Sequence, residues 1–412
     1  MTMLLARLLD RMIRSGTLTV IDGHGRTHRF GDGTEPAVTI RLHDPALHLR
    51  LVLNPSLAAG EAYMDGTLTI EDGSLAEFLD IATRTRETRG ATALHRVAGA
   101  IDYSLRFLQQ INTATRARRN VQHHYDLSGA LYDLFLDRDR QYSCAYFTDP
   151  GNSLEQAQVD KKRHIAAKLL LDRPGLRVLD IGSGWGGLGL YLADVAAAEV
   201  TGVTLSTEQV KVSQERSAAA GMPGRVRFEL RDYRDMAGAY DRIVSVGMFE
   251  HVGVPHYPTF FAKVRDLLKP DGVALLHSIG RMDGPGVTDP WIRKYIFTGG
   301  YVPALSEVLP VIERAGLWVT DVEILRLHYA ETLKRWRANF MAHRIQAARI
   351  YDERFCRMWE FYLTGAEMAF RNMGQMVFQI QLAREQTAVP LTRDYIVDWE
   401  RAQRESAETE AA

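Results

Sequence analysis

The sequence predicts an α/β protein, a doubly wound sheet preceded by a smaller N-terminal α+β domain. Three observations carry this. From residue 165 onward, strand-like runs alternate with helical patterns, the rhythm of a parallel sheet with crossover helices. The first of these runs ends in a glycine-rich turn, VLDIGSGWGG (178–187), which leads straight into the helical LGLYLADVAAA. Ahead of them, residues 17–43 alternate apolar and polar positions between Gly/Asp turn signals, as short strands and hairpins do.

Taken in order, the opening MTMLLARLLDRMIRSG sets Leu4, Leu5, Leu8, Leu9, Met12 and Ile13 at helical spacing, with Arg7, Asp10, Arg11 and Arg14 between them. Those charges interrupt any signal-peptide core. The pattern predicts a retained amphipathic helix that packs on its own domain, with membrane docking the less favoured use. TLTVID and AVTIRLH, separated by DGHGR and GDG, read as strands; residues 45–110 turn helical except for the strand-like GTLTIEDG. Residues 1–110 make the small domain and residues 111–412 the second. At the junction, TATRARRNVQHHYD, with Arg116, Arg118 and Arg119, reads as a solvated linker in preference to a phosphate contact. The sheet strands follow as LRVLDIG, AEVTGVTLS, RVRFELRD, DRIVSVG and GVALLHSIG. After residue 330 the pattern is helical and amphipathic up to a charged tail from Arg401 that is expected to fray.

Composition narrows the function classes. With 412 residues, 46% hydrophobic and 25% charged, the chain can bury a substantial core. A net charge of -1 gives no global pull towards nucleic acid or an anionic membrane, so no nucleic-acid partner is expected and any lipid contact is local. Two cysteines, Cys144 and Cys356, fit a reducing compartment, and no run reaches the ~18 apolar residues of a membrane span. A cytoplasmic location is expected.

Gly182, Gly184 and Gly187 fit G-x-G-x-x-G, a weak signal by itself. A dinucleotide site would want an acid at the end of the next strand for the ribose. That strand ends instead in Val203-Thr204-Leu205-Ser206, with Gln209 beyond. Nicotinamide binding is thus the poorer reading, and a turn that binds nothing is also disfavoured, because so many glycines cost backbone entropy without packing gain. Glu250 and His251, in SVGMFEHVG, fall where open α/β sheets hold ligands, and LLHSIG brings His277 to the same edge. A lone His at a strand end is more often structural than catalytic. The case rests on Glu250, His277 and Cys144 of QYSCAYF meeting, which requires the linker segment to fold over the sheet edge.

HHYDLSGALYDLFLD, QYSCAYF, VLDIGSGWGG, GVTLSTEQ, MFEHVG, LLHSIG and HYAETLKRW, in this order, resemble the cyclopropane-fatty-acyl-phospholipid synthases and the related mycolic acid cyclopropane synthases. The resemblance covers about residues 113–390, and DPALHLRLVLNPSLAAGEAYMDG looks like the extra N-terminal domain of the bacterial phospholipid-acting members. It implies a Rossmann-like methyltransferase sheet in which Asp180 of D-x-G-x-G orients the amino-acid end of S-adenosylmethionine. Tyr142, Ser143, Gly182, Ser183, Gly184, Trp185, Gly186, Thr204, Leu205 and Gln209 would complete that site, with Asp232 and Tyr233 of RDYRDM at the adenine. It further implies a bicarbonate ion held by Cys144, Glu250, His277, Tyr329 and the backbone of Ile279, with no metal. On this reading Cys144 walls an anion site and is not a nucleophile.

The implied reaction is methylene transfer to the cis double bond of an unsaturated phospholipid acyl chain at the membrane surface. The alkene attacks the sulfonium methyl, a carbocation forms, and closing the ring requires a base in a water-poor pocket. The enzyme would associate peripherally with the inner face of the membrane, and a homodimer is left open. A same-fold enzyme giving a methyl-branched or methylated furan fatty acyl product is the nearest alternative. An amine methyltransferase and an inactive lipid-binding protein are weaker ones.

Overall fold

The computed structural model describes residues 1–84 and 129–411. The linker TATRARRNVQHHYD, with Arg116, Arg118 and Arg119, and residues 123–128 of the HHYDLS stretch lie outside the described residues. The chain divides into two compact units: Met1–Arg106 with Gly286–Thr298 and Ala330–Gln375, and Phe107–Pro285 with Gly299–Tyr329 and Met376–Ala412. The first unit therefore takes in two later segments besides the one expected for it.

In the first unit, strands β1 (Thr17–Ile21), β2 (Thr27–Gly31), β3 (Ala37–Leu42) and β4 (Leu68–Asp72) form a sheet of order β2-β1-β3-β4. β1 pairs parallel with β3, and the outer pairs are antiparallel. Period-2 alternation buries Leu18, Val20, Val38, Ile40 and Leu42 on one face. The helix Met3–Met12 starts at Thr2, whose hydroxyl accepts the Leu5 N–H. It buries Leu5 and Leu8, with Ile13 just beyond, while Met3 and Leu4 stay 68% and 59% exposed. The helix Glu353–Asn372, capped by Asp352, is tied into the unit by its own polar groups. Asn372 donates to Asp80 Oδ1 (3.0 Å) and Thr83 Oγ1 (2.9 Å), and Tyr63 donates to Glu360 (3.0 Å).

The second unit holds a seven-stranded sheet of order β10-β11-β9-β8-β5-β6-β7. Its strands are β5 (Arg177–Ile181), β6 (Glu199–Thr204), β7 (Val226–Leu230), β8 (Tyr240–Val246), β9 (Leu268–Arg281), β10 (Trp318–Leu325) and β11 (Gln375–Ala383). The pairs β5–β6, β6–β7, β5–β8 and β8–β9 are parallel; β10 and β11 pair antiparallel. Successive residues of β5 enter opposite cores: Leu179 and Ile181 join Val203, Phe249 and Phe260, while Val178 joins Val200, Leu188 and Leu275.

The five strands read from the sequence all form. β11 corrects the reading that everything after residue 330 is helical. It is buried along its length yet carries Gln379 and Gln381, so its pattern mimics an amphipathic segment. Each glutamine finds a buried partner; Gln381 donates to Lys168 O (2.6 Å) and to Tyr395 OH (2.7 Å). The expected fraying from Arg401 is also corrected, since a helix runs over Asp394–Ala411. Glu400 anchors it to His164 at 2.6 Å. Strand order reverses beside β5, between β8 and β6, and such a switch point opens a crevice at the carboxyl ends of the strands.

Candidate active site

Register aligns the strand ends that build the site. Ile181 pairs with Val203 on one side and Ser245 on the other, and Ser245 and Val246 pair with Leu276 and His277. After β5 the chain turns at once, with the Gly182 and Ser183 N–H groups donating to Val203 O at 2.9 and 3.0 Å. Gly182, Gly184 and Gly186 have φ of 85°, 52° and 84°, the left-handed region that glycine enters without penalty. A Cβ on Gly182 would sit 2.7 Å from Met248 Cβ, and on Gly186 2.7 Å from Phe228 and Ser213; on Gly184 it would meet nothing within 4 Å. Two of these glycines thus permit close packing, and the third faces open space.

That space is a groove across the turn. One arm is lined by Tyr142, Ser143, Asp180, Ser183 and Trp185. The other is lined by Thr204, Leu205, Asp232 and Tyr233; Gly182, Gly184 and Gln209 border both. Gly186 alone among the expected cofactor residues is not at its wall. In the first arm burial pushes the Asp180 carboxyl up to about 7, against the pull of Lys161. Asp180 Oδ2 and Ser183 Oγ are buried without a partner, so this arm can accept a polar ligand end. In the second arm Thr204 Oγ1 donates to Gln209 Oε1 at 2.7 Å. Asp232 is already engaged by Arg234 Nε (2.8 Å) and Nη2 (2.6 Å). A ligand reaching Asp232 must share it.

The segment QYSCAYF is held at the groove by the helix Leu154–Lys168. Gln158 Nε2 donates to Gln141 O (3.2 Å) and Ser143 O (3.0 Å). Lys161 Nζ donates to Gln141 Oε1 and to Ser143 Oγ (2.9 Å), and burial brings its pKa down to about 8. Sequence reasoning missed both residues, because QVDKKRH looks like a solvated face; in the fold Gln158, Asp160, Lys161, Lys162, Arg163, His164 and Lys168 are all buried. Tyr146 lies between the parallel rings of His164 (centroids 4.2 Å apart) and His328 (4.8 Å). The Phe147 N–H donates to His328 Nδ1 at 2.9 Å, which ties QYSCAYF to HYAETLKRW.

Beyond β8, the turn Phe249–His251 buries Glu250. One carboxylate oxygen accepts the Ile279 N–H at 2.6 Å, and the other is buried without a partner. Burial raises its pKa to about 7 despite that hydrogen bond. The Ile279 N–H, expected at an anion, is thus donated to Glu250. His277, two residues earlier on β9, is buried, and burial lowers its pKa to about 3. Gln379 Nε2 lies 3.1 Å from His277 Nδ1; no motif pointed to it. His251 is likewise driven down to about 4 by burial and borders the second arm of the groove. Cys144 is fully buried, with its thiol 3.3 Å from Ala145 O, and Tyr329 is buried.

The family model for mycolic acid cyclopropane synthetase matches residues 112–380. The chain belongs to the mycolic acid cyclopropane synthetase family. A second model, a domain of unknown function, matches residues 5–90. Over 355 residues the chain is 39% identical to the cyclopropane-fatty-acyl-phospholipid synthase of Escherichia coli K12, covering 86% of this chain and 89% of that one. Over 393 residues it is 36% identical to the tuberculostearic acid methyltransferase of Mycobacterium tuberculosis, covering 92% and 90%. Among solved structures, mycolic acid cyclopropane synthase CmaA1 complexed with SAH and CTAB aligns with a TM-score of 0.61 at 35% identity. That alignment covers 64% of this chain and 97% of the other. The synthetase-family match takes in the glycine turn, Glu250, His277 and Gln379, whereas β1–β4 fall within the second model.

Proposed function

We propose that this S-adenosylmethionine-dependent transferase is a cyclopropane-fatty-acyl-phospholipid synthase that adds a methylene to the cis double bond of an unsaturated phospholipid acyl chain. The observation that carries the reading is a groove with unpartnered polar atoms at the end of β5, bordered by the turn after β8 at Gly247, Met248 and His251, together with a buried Glu250 in that turn that accepts the Ile279 N–H of β9. The near full-length likeness to the Escherichia coli phospholipid enzyme supports the substrate class.

The groove fits S-adenosylmethionine. The unpartnered Asp180 Oδ2 and Ser183 Oγ suit the charged amino-acid end, the open side of Gly184 lets backbone approach, and Thr204, Leu205 and Gln209 suit the ribose side. When bound, it supplies an electrophilic methyl. Ser143, fixed by Gln158 and Lys161, and its neighbour Tyr142 line the groove's near wall. Methyl addition leaves positive charge on the former alkene carbon, and ring closure releases one proton from the added methyl. Bicarbonate held by Cys144, Glu250, His277 and Tyr329 would supply the base, with the Ile279 N–H acting through the Glu250 carboxyl that already accepts it. An anion there would take its hydrogen bonds from the protonated form of Glu250, whose second oxygen is buried without a partner, and from the one ring N–H of a neutral His277. A carboxyl with a pKa near 7 can orient that anion or take its proton at little cost.

A methyl-branched product is the second reading, favoured by the similarly long match to the tuberculostearic acid methyltransferase. Incubation with isotopically labelled cofactor and unsaturated phospholipid vesicles, followed by proton NMR of the lipid, tests both. Upfield ring signals support the synthase, and a branched methyl or methylene without them supports the alternative. Methylation of an amine with the vesicles untouched refutes both.

A further inference from the structure

Gln379 projects from the middle of β11 and is wholly buried, and among the described residues its amide nitrogen lies 3.1 Å from His277 Nδ1. We propose that Gln379 is a positioning residue that fixes His277 as the tautomer carrying its proton on Nε2, so the ring presents an N–H donor to the reaction site. The inference rests on the anion-site reading of His277 given above.

The argument is one of proton counting. A primary amide nitrogen only donates, so the His277 Nδ1 facing it must accept. Burial holds His277 neutral at physiological pH, and a neutral imidazole carries a single ring proton. That proton is therefore on Nε2. Reversing the amide would demand Nδ1–H and turn a bare Nε2 lone pair towards a bound anion, which is repulsive. The arrangement with the amide nitrogen on Nδ1 leaves Gln379 Oε1 buried without a partner. An unpaired buried carbonyl carries a cost. Orientation of the ring at the site offsets it, as happens where a neighbour selects the tautomer of a functional histidine. β11 is suited to the task because it is buried along its length. A surface strand would leave the amide free to exchange its partner for water.

The test is nitrogen NMR of the full-length protein with ¹⁵N-histidine, the His277 signal being assigned by its loss in His277→Asn. The wild type is expected to show protonated Nε2 and unprotonated Nδ1. Gln379→Glu, whose carboxylate accepts from Nδ1, is expected to move the proton to Nδ1 or protonate the ring. Its kcat on unsaturated vesicles should fall by roughly tenfold or more, with cofactor affinity by calorimetry unchanged. Should Gln379→Glu fail to fold, Gln379→Met, of similar volume and without the donor, is read instead and should show mixed tautomers. A wild-type ring protonated on Nδ1 overturns the inference, as does a folded variant that keeps the Nε2–H signature. The two readings fail separately: the expected tautomer in a protein that makes no lipid product refutes the proposed function, and lipid product with Nδ1–H refutes the role of Gln379.

Discussion

Glu250 accepts the Ile279 backbone N–H at 2.6 Å through one oxygen, while its other oxygen is buried with no partner. An isolated structural carboxylate would be expected to satisfy both oxygens. This one is half satisfied and held by β9 itself, at Ile279, two residues from His277. Removing its charge should therefore act on the chemical step. Glu250→Gln is expected to lower kcat by roughly 10²-fold or more and to leave cofactor affinity near wild type. Steady-state kinetics with calorimetry checks this; normal kcat with weakened cofactor binding would place Glu250 in the wrong role.

The same residue predicts a pH-dependent stability difference. Its folded pKa of about 7 exceeds the unfolded 4.5, so its favourable contribution is complete below 4.5 and is lost as pH rises through 7. Glu250→Gln removes that loss. The variant should match wild type in unfolding free energy at pH 5 and exceed it at pH 8, by up to on the order of 3 kcal/mol, as read from denaturant melts. A difference independent of pH would refute the assignment. His277 works in the opposite direction, with a folded pKa of about 3 below the unfolded 6.5, so its contribution is lost as pH falls below 6.5.

Cys144→Ser should retain substantial activity, losing about 1 kcal/mol to altered polarity and packing, because serine keeps the volume and a better donor. A nucleophilic cysteine would not tolerate the change. Peptide mass mapping after a single turnover decides the matter: a lipid or methyl adduct on Cys144 would overturn its assignment as a wall.

The glycine turn offers a paired test. Gly184→Ala meets open space and should cost only about 1 kcal/mol in stability, yet it intrudes on the groove and should weaken cofactor binding. Gly186→Ala collides with Phe228 and Ser213 and should lower Tm markedly. Thermal melts alongside cofactor titrations separate the two; equal effects of both variants on both readouts would contradict this division.

His164 donates from both ring nitrogens, to Glu400 Oε1 at 2.6 Å and Glu323 Oε2 at 2.7 Å, which requires the imidazolium. Burial alone would depress its pKa, and the two carboxylates outweigh burial and raise it. Its contribution is then complete below pH 6.5 and lost as pH rises through the raised value. His164→Gln should destabilise the protein by about 3 kcal/mol at pH 6, less at pH 9, and speed amide exchange in the C-terminal helix. Unchanged exchange in that helix would count against the role.

The second unit was legible because glycine turns and period-2 strands are local signals. Asp180, Gly182 and Gly184 belong to such a turn, whereas Thr204 and Asp232 are expected at the cofactor only from the family resemblance; all five line the groove at the ends of β5, β6 and β7. β11 was not legible, since Gln379 and Gln381 break its apolar run, and their partners, His277 and Lys168, lie 102 and 213 residues away. Lys161 was hidden for the converse reason: charge in a helix suggests water, and only the packing shows that its amine is spent on Gln141 and Ser143.

The discontinuous first unit bears on the order in which the chain can fold. Its sheet is complete by residue 72, but the helix Glu353–Asn372 that packs on the helices Pro55–Met64 and Leu75–Thr83 is encoded far later. Tyr63 and Glu360 are 297 residues apart. During synthesis the N-terminal strands therefore leave the ribosome with one flank unfinished and wait for nearly the entire chain. Deleting residues 1–110 would orphan that helix, and expressing them alone would leave its docking surface bare. The covalent N-terminus and the compact unit that contains it are different objects, and an experiment that cuts the chain tests the first while disrupting the second.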